Sequence, residues 1–135
     1  MDALPRQAIL DGRPRERALA RGGLTSPHYQ VGLEAPHAER QFADAPREVR
    51  DALRRQARRL RDDPQAGTFL PVRTVPNPAL RRWRTRIGQV ERLYKLDLPK
   101  GWRALYVVRT EGAARVVLVI ELLSHTDYER LLGYG

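Results

Sequence analysis

The apolar residues between residues 46 and 62 recur at the spacing of an α-helix. They are Val49, Ala52, Leu53, Ala57 and Leu60. This spacing places them on one face, with arginines over the rest of the surface, and predicts an amphipathic helix that the Asp62–Pro64 segment ends. A shorter helix is predicted over residues 36–45, because Pro36 can occupy its first turn.

The pattern before and after these helices is that of β-strands. Residues 28–34 have the composition of a strand, and three apolar runs follow residue 88 with glycines in the turns between them. The runs cover residues 89–98, 102–110 and 115–123, with turns at Gly101 and Gly112. Runs joined in this way favour consecutive antiparallel strands.

The remaining segments predict less regular structure. Residues 65–79 are rich in proline and predict a loop, residues 78–87 predict one or two helical turns, and residues 125–134 predict a short helix or turn. The order of elements is then β-α-α-β-β-β with a short C-terminal element. This order predicts an α+β domain, with a mostly antiparallel, twisted sheet and the helix pair packed on one face.

Alternation along the strands predicts which side chains face the helix pair. These core residues are Tyr94, Leu96, Trp102, Ala104, Tyr106, Val117 and Val119, together with Val49, Leu53 and Leu60 of the long helix. The same alternation puts Lys95 and Arg103 together on the opposite face, which the helix pair leaves open. The two cations then form either a basic site on a rigid sheet or an ordinary solvated face neutralised by Asp97.

The length and composition fit one domain in a reducing compartment. Residues 1–27 have weak periodicity and predict a tail or loosely docked arm, so the folded domain is expected over residues 28–135. No apolar run reaches the roughly 20 residues of a membrane span, and no signal peptide is evident. Cysteine is absent, which excludes disulfides and thiolate metal sites and fits a cytoplasmic protein.

Basic residues exceed acidic ones by 25 to 16, a net charge of +9. An excess of this size predicts an anionic partner, either nucleic acid or an acidic protein. The excess is greatest in residues 64–90, which contain arginines and no acidic residue. The candidate phosphate-binding cluster in this segment is Arg81, Arg82, Arg84 and Arg86, although the same residues also fit a solvated helical turn.

Histidine and tyrosine follow the last predicted strand. Histidine suits proton transfer, so His125 is a candidate acid or base. Tyr128 is either a second site residue or a ring that caps the core. His28 and His37 have no partner at metal-ligand spacing and are assigned no site, and no metal or other cofactor is expected.

The sequence LYKLDLPKGWRALYVV, followed by RVVLVIELLSHTDY, resembles the C-terminal half of the RelE/ParE-type toxins of type II toxin–antitoxin systems. In that family a YK-I/L-x-L strand precedes a G-Y/W-R-x-x-Y strand, an apolar strand and a segment that ends in tyrosine. The upstream sequence FADAPREVRDALRRQARRLRDDPQAG is similar to the family's helix and the turn after it. The resemblance spans about residues 29–134 and implies a RelE-like fold.

The resemblance also implies a role for four residues. Lys95 aligns with a lysine that helps bind or activate the RNA phosphate, and Arg103 aligns with an arginine that contacts the scissile phosphate. Tyr128 lies where such toxins carry a tyrosine that stacks on or orients the nucleotide. His125 is similar to a histidine that some branches use as acid or base.

The implied activity is that of a metal-independent, ribosome-dependent endoribonuclease that cleaves mRNA. The implied partners are mRNA, the ribosome with its rRNA, and a cognate antitoxin protein that covers a basic surface. Two alternatives stay open: a ParE-like inhibitor of DNA gyrase, and an inactive toxin-fold protein that binds RNA. Asp97 favours the last, because some relatives carry a second lysine there. Glu91 or Glu121 is a candidate carboxylate base without a secure alignment, and the oligomeric state is not predicted.

Overall fold

A computed structural model describes residues 7–9 and 29–133 of the chain. Within these ranges the strands are β1 (Gln7–Ile9), β2 (Gln30–Glu34), β3 (Thr68–Leu70), β4 (Leu93–Asp97), β5 (Arg103–Glu111) and β6 (Ala114–Leu123). The helices are α1 (His37–Asp44), α2 (Arg47–Asp62), α3 (Asn77–Ile87) and α4 (His125–Leu132). Short 3-10 turns cover Val72–Thr74 and Pro99–Gly101.

The six strands form one mixed sheet in the order β1-β2-β6-β5-β4-β3. β4, β5 and β6 are consecutive antiparallel neighbours, as their apolar runs and glycine-containing turns predicted. β2 lies parallel to β6, and the remaining pairs are antiparallel. The predicted α+β class is confirmed.

The predicted helix pair covers one face of the sheet. α1 and α2 pack there against β2, β4, β5 and β6 to form a first core. Every core residue predicted from periodicity belongs to it, with Trp102 partly buried at its margin. Helical spacing in α2 therefore identified the buried face correctly, and Val49, Leu53 and Leu60 have no exposed surface. Burying side chains of this size contributes about 1.5–3 kcal/mol each before the entropy cost of folding.

The opposite face is covered as well, and the prediction that it lies open is wrong. α3 and α4 pack on it and form a second core that includes Trp83, Leu105 and Val107. Leu105 and Val107 share this face with Arg103, and both are fully buried. The physical reason is the composition of β6, which is apolar on both faces over residues 116–120, as a strand covered on both sides must be.

Two strands and a longer helix lie where the sequence predicted irregular structure. β3 falls inside the predicted loop and forms one edge of the sheet beside β4. β1 falls inside the predicted N-terminal arm and pairs with β2, while the other residues of 1–27 lie outside the described residues. α3 has 11 residues rather than one or two turns, because its apolar side chains face the sheet. None of the described helices is both long and apolar enough to cross a membrane.

Candidate functional site

Lys95 and Arg103 lie on the same face at one end of the sheet and share a carboxylate. The pairing of β4 with β5 sets Asp97 opposite Arg103. Lys95 Nζ lies 3.4 Å and Arg103 Nε lies 3.0 Å from Asp97 Oδ1, the latter an ion pair without a well-aligned hydrogen bond. The two cations are 22 % and 21 % exposed and Asp97 is 64 % exposed. Asp97 is therefore the most accessible member of the three and offsets part of their charge.

Arg103 connects this charge cluster with the first turn of α4. Its Nη1 donates to the carbonyl oxygens of Gly101 at 2.8 Å and Trp102 at 3.2 Å. Its Cζ lies 5.5 Å from the centre of the Tyr128 ring, a cation–π contact. Gly101 packs closely on His125: a Cβ added at Gly101 would lie 3.0 Å from His125 Cβ. The structure thus brings together the residues that the resemblance singled out, Lys95, Arg103, His125 and Tyr128.

The two α4 residues of this group differ in exposure. Tyr128 is 6 % exposed and belongs to the second core, so its ring supports the Arg103 guanidinium and offers no free face on which a base could stack. His125 is exposed, and its Nε2 lies 3.1 Å from Oε2 of Glu129, one turn further along α4. Ser124 caps this helix by accepting a hydrogen bond from the Asp127 N–H, which fixes His125 as its first residue.

The arginine cluster of α3 divides into an exposed part and a buried part. Arg81, Arg82 and Arg84 are exposed. Arg86 lies three residues after Trp83 and therefore on the sheet-facing side, where its Nε is 3.1 Å from Glu34 Oε1. Its Nη2 donates to the Ile120 carbonyl at 2.9 Å. The charge of Arg86 is paired with Glu34 inside the fold, so the exposed cluster consists of the other three arginines.

A buried group of polar side chains lies where β2 ends beside β6. This polar centre consists of Glu34, His37, Gln41, Trp83, Arg86 and Glu121. Glu34 and Glu121 are 2 % and 4 % exposed. Oε1 of Glu121 lies 2.9 Å from both His37 Nε2 and Gln41 Nε2, and its Oε2 accepts from Trp83 Nε1 at 2.8 Å. The polar centre therefore joins α1, α3, β2 and β6.

Glu121 owes its position to an irregularity in β6. The pairing with β5 shifts between Leu105–Glu121 and Tyr106–Val119, so Ile120 is an extra residue and the side chain after it is redirected. Burial alone would raise the pKa of Glu121, but the hydrogen bonds from His37, Trp83 and Gln41 outweigh burial and lower that pKa. The carboxylate is thus held ionised inside the protein.

Sequence reasoning assigned no site to His37 and missed the polar centre. The available signal was Glu121, the one charged residue in the apolar run 116–123, because a buried charge requires a buried partner. The partner could not be identified, since His37 is 84 residues away and only the fold joins the two. Glu91, the other candidate base, lies at the opposite end of the sheet beside an open cavity of about 390 Å³.

Within residues 7–9 and 29–133, no group of three or more histidine, aspartate or glutamate side chains is arranged to hold a metal ion. Comparisons with models of protein families, with curated proteins and with solved structures found no match. The function is therefore argued from the sequence resemblance and from the two clusters, the one around Arg103 and the polar centre.

Proposed function

We propose that this protein is a toxin of the RelE/ParE type and acts in the cytoplasm as a metal-independent, ribosome-dependent endoribonuclease. The order of β2, α1, α2, β4, β5 and β6, with β3 and α3 between α2 and β4, supports the proposal. The partners in this proposal are mRNA, the rRNA of the ribosome and a cognate antitoxin. The net charge of +9 is compatible with each of these anionic or acidic partners.

The observation that carries the proposal is the meeting of Arg103 with Lys95, His125 and Tyr128 at one end of the sheet. The four come from two strands and a helix. Arg103 contacts the Tyr128 ring, shares Asp97 with Lys95, and donates to Gly101, which packs on His125. A guanidinium that two carbonyl oxygens and a ring hold in one orientation is positioned to bind a phosphate once Asp97 is displaced. A solvated arginine without these contacts would have no fixed orientation and would be weaker evidence for a phosphate site.

The proposed reaction breaks RNA by internal attack. The ribose 2′-oxygen bonds to the adjacent phosphorus, the bond from phosphorus to the 5′-oxygen breaks, and a 2′,3′-cyclic phosphate remains. Arg103 and Lys95 stabilise the negative charge that grows on the phosphate oxygens. A histidine at this end of the sheet takes the proton of the 2′-hydroxyl. RNA must displace Asp97 from the two cations for the phosphate to bind.

Asp97 also favours a second candidate function, binding without cleavage. Its carboxylate occupies the position that a substrate phosphate needs, and both cations already pair with it. A protein with this arrangement binds an anionic partner, either RNA or DNA gyrase, through its surface arginines and turns nothing over. The two candidates differ in one measurable result, the appearance of a cleaved product.

The proposal is tested by Arg103→Ala in cleavage of mRNA bound to translating ribosomes, read by primer extension. Losing one transition-state contact of this kind costs about 3 kcal/mol, so the rate should fall on the order of 10² to 10³-fold. Arg130→Ala on α4 is the matched control, because Arg130 is 74 % exposed and, among the described residues, pairs only with Asp127. Arg103→Lys should recover little activity, since lysine lacks the planar fork.

Three outcomes separate the candidates. Cleavage by the parent that is lost in Arg103→Ala, with the fold intact, supports the ribonuclease. Full cleavage by Arg103→Ala removes Arg103 from the proposed site. A parent that cleaves nothing but blocks supercoiling by gyrase, or binds ribosomes without product, moves the assignment to the binding function.

A further inference from the structure

Residues 29–133 contain two histidine–glutamate pairs, which differ in how firmly their geometry is held. In α4, His125 pairs with Glu129 across one helical turn, and the two side chains are 55 % and 42 % exposed. Exposed pairs of this kind hold their geometry weakly. In the polar centre, His37 Nε2 lies 2.9 Å from Glu121 Oε1, and the two side chains are 38 % and 5 % exposed. The second pair combines an accessible ring with a buried carboxylate.

The Glu121 carboxylate is oriented by more than the histidine. Gln41 and Trp83 donate to it, and Arg86 Nη2 lies 3.4 Å from its Oε2. Gln41 is fixed in turn, because its Oε1 accepts the backbone N–H of Leu122 at 2.8 Å. A carboxylate with this many donors cannot turn away from the imidazole, so the position of His37 relative to β6 is set by the core.

This contact determines which ring nitrogen of His37 is free. An ionised carboxylate accepts only, so the nitrogen facing it carries the proton, and that nitrogen is Nε2. Nδ1 of the neutral ring is then an acceptor. Within the described residues it has no hydrogen-bond partner. The His37 side chain is 38 % exposed, and an imidazole held by a buried carboxylate through Nε2, with Nδ1 as an acceptor, has the arrangement of a general base.

The pair also lies at the end of the sheet where Arg103 lies. Glu121 precedes Leu123 by two residues, and Leu123 is the strand partner of Arg103. α1 begins at the end of β2, which runs parallel to β6 and ends at the same side. The start of α1 with His37, the start of α4 with His125 and the start of β5 with Arg103 therefore lie at the same end of the sheet.

We infer that His37, oriented by Glu121, is the general base that removes the proton from the RNA 2′-hydroxyl, in place of His125. The inference rests on the proposed ribonuclease function. In the step, Nδ1 of His37 takes the 2′-hydroxyl proton while the 2′-oxygen bonds to phosphorus. The bond to the 5′-oxygen breaks, and that oxygen takes a proton from water. Glu121 acts as a positioning residue and keeps its charge throughout.

The test compares His37→Gln with the parent in cleavage of ribosome-bound mRNA. Glutamine retains an N–H donor for Glu121 but has no ring nitrogen to accept a proton, so it separates the structural role from the chemical one. The rate should fall on the order of 10²-fold or more, the usual contribution of a general base. Glu39→Gln, an exposed change on the same helix, is the control and should cleave at the parent rate.

His125→Gln is the competing variant, and each outcome has one meaning. Loss in His37→Gln with retention in His125→Gln supports the inference. The inference is overturned, and the ribonuclease proposal stands, if folded His37→Gln cleaves like the parent or if His125→Gln loses as much activity as His37→Gln. A parent that cleaves nothing removes the proposed function and the inference together.

A second measurement does not depend on cleavage. Long-range ¹⁵N–¹H correlation spectra of the parent should show the neutral His37 ring protonated at Nε2 and unprotonated at Nδ1. Glu121→Gln should weaken this preference, because a glutamine amide can turn either its oxygen or its N–H toward Nε2. A parent ring protonated at Nδ1 overturns the inference, because the accessible nitrogen would then have no lone pair to accept the proton.

Discussion

The Tyr106 hydroxyl ties the segment between α2 and β3 to the centre of the sheet. It donates to the Pro64 carbonyl at 2.8 Å and accepts the Gly67 N–H at 2.9 Å. The ring stacks on Tyr94 with centroids 5.3 Å apart, and Tyr94 meets Phe69 of β3 edge to face. Burial raises the pKa of Tyr106 to about 12, although the Gly67 hydrogen bond opposes the rise. One side chain thus holds both a loop and an edge strand.

Gly67→Ala should destabilise the protein by about 1–3 kcal/mol through overpacking. A Cβ there would lie 2.6 Å from the Lys95 carbonyl oxygen and 2.8 Å from the Tyr106 hydroxyl, and neither atom can move freely. Urea unfolding gives the loss. Gly112→Ala is the comparison. Its φ of +60° strains alanine, but no atom of the described residues lies within 4 Å of the added Cβ, so a loss of about 1–2 kcal/mol is expected. A Gly67→Ala variant as stable as the parent would contradict the overpacking at this position.

At the level of single residues, alternation predicted the side of the sheet on which each side chain of β4 and β5 lies. It could not predict that Arg103 would be braced by Tyr128 or that Arg86 would turn inward. Those positions depend on α3 and α4 covering the second face. Their apolar residues are mixed with charges in the sequence, so the pattern there resembled a solvated turn.

At the scale of elements, the polar centre fastens α1 and α3 to β6 from the two faces of the sheet. The charge state of Glu121 decides how strongly the polar centre holds these helices to β6. Its folded pKa lies below the ordinary value of 4.5, so its contribution to stability is complete above that pH and is lost as the pH falls through the folded value. The charged groups that face it are His37 from α1, Arg86 from α3 and Glu34 from β2.

The parent should therefore lose stability below pH 4.5 more steeply than Glu121→Gln does. At neutral pH the glutamine variant should be less stable by about 1–3 kcal/mol, because donors that faced a carboxylate oxygen then face an amide. In acid the difference should shrink. Urea unfolding at neutral pH and well below pH 4.5 measures both quantities. A difference that stayed constant across this range would contradict the assigned role of the Glu121 charge.

The elements differed in how well the sequence predicted them, for physical reasons. β4, β5, β6 and α2 have periodic apolar residues and clear ends, so their positions were predicted within a few residues. β3 has three residues between a glycine-containing turn and Pro71, and nothing in its own sequence distinguishes it from loop. It is a strand because β4 supplies its hydrogen bonds.

At the scale of the whole molecule, the exposed arginines of α3 provide a test of anion binding. The double variant Arg82→Glu, Arg84→Glu should weaken ribosome binding. Each lost phosphate contact lowers the affinity and reduces the slope of log affinity against log salt concentration by about one. Arg86 is left unchanged, since removing it would leave Glu34 and Glu121 buried without their cation. Binding is measured by co-sedimentation at low and high salt. Unchanged binding at both would exclude this surface.

The parallel pairing of β2 with β6 has a consequence for synthesis of the chain. β6 is formed from residues 114–123, yet it lies in the interior of the sheet between β2 and β5. Until those residues have been translated, β2 and β5 have no shared neighbour, and neither core can close. Folding therefore waits for the last strand, because contacts far apart in sequence complete the domain. A nascent chain stalled before β6 would expose both apolar faces and would lack Glu121, the residue that orients His37.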